Sequence, residues 1–413
     1  MQVYLVGGAV RDAMLGLPVK ESDWVVVGGT RAELLREGFR EVGRDFPVFL
    51  HPATHQEYAL ARRERKVAPG YRGFSVEFGP EVSLEEDLAR RDLTINAIAQ
   101  AADGTLIDPY GGRRDLESRT LRHVSEAFVE DPVRVLRVAR FAARFAPLGF
   151  RIAGDTMALM RSMVMRHEVD ALVAERVWQE SVKALREPAA STFFAVLREC
   201  GALARIYPEI DALFGVPQPV EWHPEIDTGV HTLLVLDQAA RLSEDTQVRF
   251  AALVHDLGKA ATPRAEWPSH RGHEERSVAL IEALAGRLRI PSDHRELALI
   301  VARYHGIVHR AFELRPKTLL EFMERTDAFR RPARFAQALL ACEADSRGRT
   351  GLEDAPYPQR DYLLAAHAAA AAIRPSAEDV ADGRPGAEIG ERVHQRRLHA
   401  LGAVRDNFPP PQA

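Results

Sequence analysis

Two cysteines in 413 residues, Cys200 and Cys342, form neither a disulfide framework nor a thiolate metal pattern, as expected of a chain kept in a reducing cytoplasm. A long apolar run is also missing. Met1-Gln2-Val3 leads straight into a strand-like segment, without a basic leader or hydrophobic stretch, so neither a signal peptide nor a membrane span is expected. There is little excess of either charge. A net charge of −4 excludes a histone-like polycation but not nucleic-acid binding, which needs only a local basic surface. The remaining composition, 46% hydrophobic and 28% charged, is that of an ordinary globular protein. At this length roughly two to four domains are expected.

Val3 to Val6 is a short apolar run suited to a buried strand, Gly7-Gly8 breaks it, and Ala9 to Leu15 has helical composition closed by Gly16 and Pro18. A helix leaving a glycine turn offers free N–H groups and a positive dipole end to a phosphate. Gly8 lets the phosphate approach, and Arg11 adds charge. A second strand is predicted from Glu21 through Val27. Residues i and i+2 of a strand share a face, so Glu21 and Asp23 pair two carboxylates suited to Mg²⁺. A phosphate cradle followed by paired carboxylates is what metal-assisted nucleotidyl transfer requires. Glu57, opening a later strand, is either a third carboxylate for that site or a solvated strand-end acid. Arg62-Arg63-Glu64-Arg65-Lys66 and Gly70-Tyr71-Arg72-Gly73 form a basic excursion, suited to RNA or triphosphate contact or simply a solvated loop. Residues 84 to 99 read as one amphipathic helix, and Asp108-Pro109-Tyr110-Gly111-Gly112 as a turn.

Glu130-Asp131-Pro132-Val133-Arg134 opens a further helix, with Asp131 as its N-cap and Pro132 in the first turn. Arg134, Arg137, Arg140 and Arg144 recur every three or four residues and fall on one stripe of about 120°. No acid lies between Val133 and Arg151, so the row is expected to want an anionic ligand. The chain from Ala153 to about Ala212 reads as helical, and Pro217, Pro219 and Pro224 mark a linker. Beyond it, Ala252-Leu253-Val254-His255-Asp256-Leu257-Gly258-Lys259 sets a His-Asp doublet on an apolar helix, with His231 upstream and His270, His273 and His305 downstream. Imidazole and carboxylate together suit a transition metal. His231 and His305 are the expected additional ligands, with Asp345 a weaker candidate.

Gly7-Gly8-Ala9-Val10-Arg11-Asp12, Leu15-Gly16 and the acid-x-acid strand together resemble the head of class II CCA-adding tRNA nucleotidyltransferases and their poly(A) polymerase relatives. Arg90-Arg91-Asp92-Leu93-Thr94-Ile95-Asn96-Ala97 and Glu130-Asp131-x-x-Arg134 extend the likeness. It is closest to the bacterial branch that carries an HD phosphohydrolase domain. The family has Asp where Glu21 stands, and glutamate reaches one methylene further. The resemblance implies an α+β chain: a nucleotidyltransferase head with a small mixed sheet over 1–140, a helical neck over 141–215, an HD domain over 228–330 and a helical tail over 331–413. It implies Glu21 and Asp23 as Mg²⁺ ligands, Arg91 at the incoming nucleotide, Asp92 and Asn96 near its ribose, and a hinge at Gly111-Gly112. Asp131 and Arg134 would read the base edge of CTP or ATP, with Arg137 and Arg140 on the same nucleotide. His231, His255, Asp256 and His305 would form the HD centre, served by Ni²⁺ or another transition metal, with phosphatase and 2′,3′-cyclic phosphodiesterase activity. The expected partner is tRNA, and the expected assembly a monomer or homodimer. The rival readings are a poly(A) polymerase, an HD phosphohydrolase whose head only binds RNA, and a non-catalytic RNA chaperone.

Overall fold

Strand β1 (Gln2–Val6) stops where Gly7 turns at φ 68°, a backbone region that side chains rarely enter. Helix α1 (Gly8–Met14) leaves from that turn. Strand β2 (Asp23–Val27) returns antiparallel to β1, with Asp23 opposite Val6. Here the structure corrects the sequence: because β1 ends at Val6, the ladder has no partner for residues before Asp23, and Glu21 precedes the strand. This computed structural model describes residues 1–42, 48–66, 74–376 and 386–408.

Helix α2 (Arg31–Arg36) starts on a capping box in which Thr30 and Glu33 satisfy each other's backbone N–H. Strands β3 (Arg40–Val42), β4 (Val48–Leu50) and β5 (Glu57–Leu60) follow, β5 running parallel to β2. Strands β6 (Arg62–Lys66) and β7 (Phe74–Phe78) form a separate antiparallel hairpin. The basic run at 62–66 is therefore a strand, while the predicted Gly70 to Gly73 loop lies outside the described residues. After α3 (Leu84–Ala89), strands β8 (Ala99–Gln100) and β9 (Leu106–Ile107) complete a mixed sheet of order β3-β4-β5-β2-β1-β8-β9. Alternation along β2 builds a core on each face. Val25 packs with Val6, Ala61, Val82 and Leu88, and Val26 with Leu34, Phe49 and Leu60.

The single helix expected over 84–99 is not formed. It ends at Ala89 because the backbone further on finds other partners: the Asp92 side chain accepts from Leu93 N, and Thr94 N donates to the backbone carbonyl of Arg122. The turn at Asp108 caps α4 (Gly112–Glu117), its carboxylate accepting from Gly112 N and Arg113 N at 2.7 and 2.9 Å. A Cβ at Gly112 would stand 2.2 Å from Thr94 O, so this glycine serves close packing.

Strand β10 (Thr120–Leu121) pairs parallel with β11 (Arg151–Ile152) around helix α5 (Val133–Phe145). Helices α6 (Gly154–Met165), α7 (Ala174–Leu185), α8 (Ala190–Glu199) and α9 (Ala202–Ile206) follow. One compact unit comprises Met1–Ala184 and Thr192–Ile206, and a second comprises Leu185–Ser191 and Tyr207–Ala413. The second contains α10 (Pro208–Asp211), α11 (Thr228–Leu242), α12 (Thr246–Val254), α13 (His273–Leu288), α14 (Ser292–His309), α15 (Pro316–Arg325), α16 (Pro332–Arg347), α17 (Pro358–Ala372) and α18 (Gly386–Asn407). Helices α11, α12, α14 and α16 pack on one another. Cys200 is buried in the first unit and Cys342 in the second, both as free thiols. Among the described residues no helix is long and apolar enough to cross a membrane.

Candidate functional site

In the first unit the glycine turn, one arginine and the strand acid gather. Arg91 lies over Gly7 so closely that a Cβ there would be 2.8 Å from its Nη1. Arg91 is held by Asp87 Oδ2 at 3.2 Å and by Asn96 O at 3.3 Å. More than a third of Asp23 is open to solvent, yet packing around its carboxylate and the charge of Glu21 raise its pKa against the pull of Arg91. Glu57 is the register partner of Asp23 on the adjacent strand, so its side chain leaves the same face. Gly8 sits in the first turn of α1. Arg11 is not displayed there: it is 3% exposed, donates to Asp12 and Asn96, and lies 5.2 and 5.1 Å from the rings of Phe141 and Phe145.

Helix α5 carries the arginine row as spaced, but the row is not without acids. The partners come from distant segments: Arg137 pairs with Asp92 at 2.7 Å, Arg140 with Glu180 at 2.6 Å and Arg144 with Asp12 at 2.8 Å. Arg134 is buried and donates to the carbonyls of Ala127 and Arg90. Asp131 caps Val133 N as expected and also receives both Nη atoms of Arg176, at 3.0 and 2.7 Å. Burial opposes ionisation of Asp92, but Arg137 and Asn96 hold its carboxyl well below the ordinary range. Arg176 and Glu180 on α7 escaped sequence reasoning, because a lone helix of ordinary composition does not say which strangers it will meet.

The second unit holds a denser cluster. His231 from α11, His255 and Asp256 after α12, His273 at the start of α13, His305 on α14 and Asp345 on α16 come together. His231, His255 and Asp345 form one group of potential metal ligands; Asp256, His273 and His305 form another. Asp345 Oδ1 is 3.1 Å from His231 Nε2 and 3.5 Å from His255 Nε2, and its other oxygen is 2.6 Å from His309 Nε2. Asp256 Oδ1 lies 3.2 Å from His273 Nε2 and 3.7 Å from His305 Nε2. Several of these contacts lack hydrogen-bond alignment. His255 Nε2 and Asp256 Oδ1 are buried without hydrogen-bond partners, and His273 and His305 turn ring nitrogens on each other at 3.2 Å. Orphaned donor atoms facing one another fit a cation between them. Burial would lower the pKa of His255, but Asp256 and Asp345 raise it to about 10; burial carries His305 down to about 3. Glu225, 2.8 Å from His231 Nδ1, and His309 are further members that sequence reasoning missed. Asp345 is central rather than marginal. Its signal was a carboxylate on an alanine-rich, fully buried stretch of α16.

Comparison with known proteins assigns these parts. Residues 3–122 match the poly A polymerase head domain, 149–214 the probable RNA and SrmB-binding site of polymerase A, and 228–346 the HD domain. The multifunctional CCA protein of Thioalkalivibrio sulfidiphilus is 67% identical over 406 residues, covering 98% of this chain and 99% of that one. The chain belongs to the multifunctional CCA protein family. Its counterpart in Alkalilimnicola ehrlichii is 61% identical, with 100% of both chains covered. In fold, this family member resembles a CCA-adding enzyme solved with ATP, at TM-score 0.65 and 19% identity over 97% of this chain and 86% of that one. It also resembles the Bacillus stearothermophilus CCA-adding enzyme solved with CTP, at TM-score 0.62 and 22% identity over 97% and 89%. As a multifunctional CCA protein it is an α+β nucleotidyltransferase that carries an HD domain.

Proposed function

We infer that the protein adds C, C and A to the 3′ ends of tRNA from CTP and ATP without a nucleic-acid template, and that its HD domain is a metal-dependent phosphohydrolase. The observation that carries the first part is the grouping of Asp23, Arg91 and the Gly7 turn at the mouth of two adjacent strands. Whole-length likeness to multifunctional CCA proteins supports it. We keep the division into a head over 1–140, a neck over 141–215, an HD domain over 228–330 and a tail over 331–413, with tRNA lying along the helical part.

In the transfer step the 3′-hydroxyl of the RNA attacks the α-phosphorus of the nucleotide, forming the new phosphodiester and releasing pyrophosphate. Asp23 and Glu21, with Glu57 beside them, hold Mg²⁺, which when bound lowers the pKa of the hydroxyl and offsets charge on the departing pyrophosphate. Gly8 and the N-terminus of α1 receive the triphosphate, and Arg91 reaches it across Gly7. Arg11, gripped from all sides, fixes the start of α1 against α5. Asp131 accepts from the amino group shared by cytosine and adenine, exchanging it for Arg176, while Arg134 donates to the base's acceptors. Arg137 and Arg140 steady the same nucleotide. In the second unit His231, His255, Asp256 and Asp345, with His305 and His273 beside them, hold a transition ion such as Ni²⁺ for hydrolysis of phosphate esters and 2′,3′-cyclic phosphates. The mixture of borderline imidazole and hard carboxylate ligands favours such an ion over Mg²⁺.

Supplying CTP alone to a tRNA lacking its CCA end tests the leading reading. Addition of two C residues is expected; no incorporation with CTP but extended incorporation with ATP would indicate poly(A) synthesis instead.

A further inference from the structure

His231 meets a carboxylate at each of its ring nitrogens. Asp345 Oδ1 lies 3.1 Å from Nε2, and Glu225 Oε1 lies 2.8 Å from Nδ1. A neutral imidazole carries one proton and can donate to only one of them. The Asp345 oxygen is also 3.5 Å from His255 Nε2, so Nε2 of His231 faces the candidate ligand group formed with His255 and Asp345. With the Nε2 lone pair given to an ion there, the ring proton sits on Nδ1 and Glu225 accepts it. Glu225 approaches the ring from the side away from Asp345, so it stands behind the ligand and not among the ligands of that ion.

The chain around Glu225 holds it in this place. Its side chain is 2% exposed, Oε1 is also 3.1 Å from His223 Nδ1, and Oε2 accepts from Thr350 N at 3.3 Å. Ile226 N donates to His223 O at 2.9 Å, Gln218 N to Ile226 O at 2.7 Å, and Asp227 caps α11 through Val230 N at 2.9 Å. Ile226 takes φ 61°, a region that β-branched residues rarely enter, and such strain persists only where the surroundings impose it. The turn so fixed ends with a buried carboxylate on the ring of His231.

We propose that Glu225 is a positioning residue of the second-unit metal centre: it accepts the Nδ1–H of His231 and so fixes the tautomer and ring plane that offer Nε2 to the ion. This rests on the metal-centre reading above and adds what selects the donor atom of His231. Loss of such a partner weakens metal binding by roughly 10- to 100-fold.

Glu225→Gln keeps the shape of the side chain and removes its charge. In equilibrium dialysis of the full chain against Ni²⁺, the variant is expected to bind about 10- to 100-fold more weakly than wild type, with the same number of ions at saturation. Urea unfolding of the metal-free variant should match wild type. In the Zn²⁺-loaded protein, the downfield ring-proton resonance of His231, identified by its absence from His231→Gln, is expected to move upfield in Glu225→Gln as a charge-assisted bond gives way to a neutral one. Equal nickel affinity in variant and wild type overturns the positioning and leaves the metal centre standing. So does loss of one ion per chain from the variant with the remainder bound as before, since Glu225 would then ligate an ion of its own. A wild type that takes up no nickel overturns both readings.

Discussion

Gly7 is a position where a methyl group would be felt twice. Its φ of 68° with ψ of −124° belongs to glycine, and a Cβ would press on Arg91, whose far end is pinned to Asp87 and Asn96. Gly7→Ala is expected to cost about 1–3 kcal/mol in urea unfolding. It should also raise KM for CTP, because Arg91 must leave its place. Arg137 offers a second case. Removing it strands Asp92, which is 6% exposed, and Arg137→Ala is expected to destabilise by about 1–3 kcal/mol. Combined with Asp92→Asn it should lose less than the sum of the two single variants, which a double-mutant cycle measures. At this scale the gathering of Asp23 with the glycine turn and of the His-Asp doublet with distant histidines was legible, since residue type and local spacing announce it, whereas the strand pairing of Glu21 with Asp23 was not formed. Of the partners of the arginine row, Asp92 reads from the sequence as the mate of an arginine, without saying which; Asp12 and Glu180 do not read at all. Asp12, Asp92 and Glu180 reach the row only after folding, and nothing in the helix itself names them.

Among the elements, those governed by neighbours in sequence were the most readable. The capping box at Thr30 and Glu33 starts α2 where local chemistry says it should, and Thr30→Ala is expected to lower the urea midpoint by an amount equivalent to about 1 kcal/mol. Nucleotide addition per folded molecule should not change. Elements governed by distant partners were misread. The stretch 84–99 has helical periodicity throughout, but Arg122 O and Asp115 claim Thr94, and the helix stops early. Likewise β2 begins at Asp23 and not at Glu21, because β1 is too short to pair further. Glu21 thus lies exposed just ahead of the strand, near enough for its charge to be felt at Asp23.

At the scale of the whole molecule, the first unit carries the acids of one candidate centre and the second carries those of the other. Asp23→Ala is expected to abolish nucleotide addition while leaving nickel-dependent phosphatase activity intact, and Asp256→Ala to do the opposite; parallel assays of both reactions on each variant check this. Composition and motif order were enough to foresee an α+β head followed by helical domains. They did not foresee that Leu185–Ser191 associates with the second unit while Thr192–Ile206 returns to the first, because only packing decides that. The thiols make these halves observable. Burial raises the Cys200 thiol to about 11 and holds that of Cys342 well above its ordinary value, so neither should react with iodoacetamide while the fold is shut. Each half therefore carries its own built-in latch sensor. Peptide-resolved alkylation across a urea series would time the opening of one half against the other, with no label added to the chain.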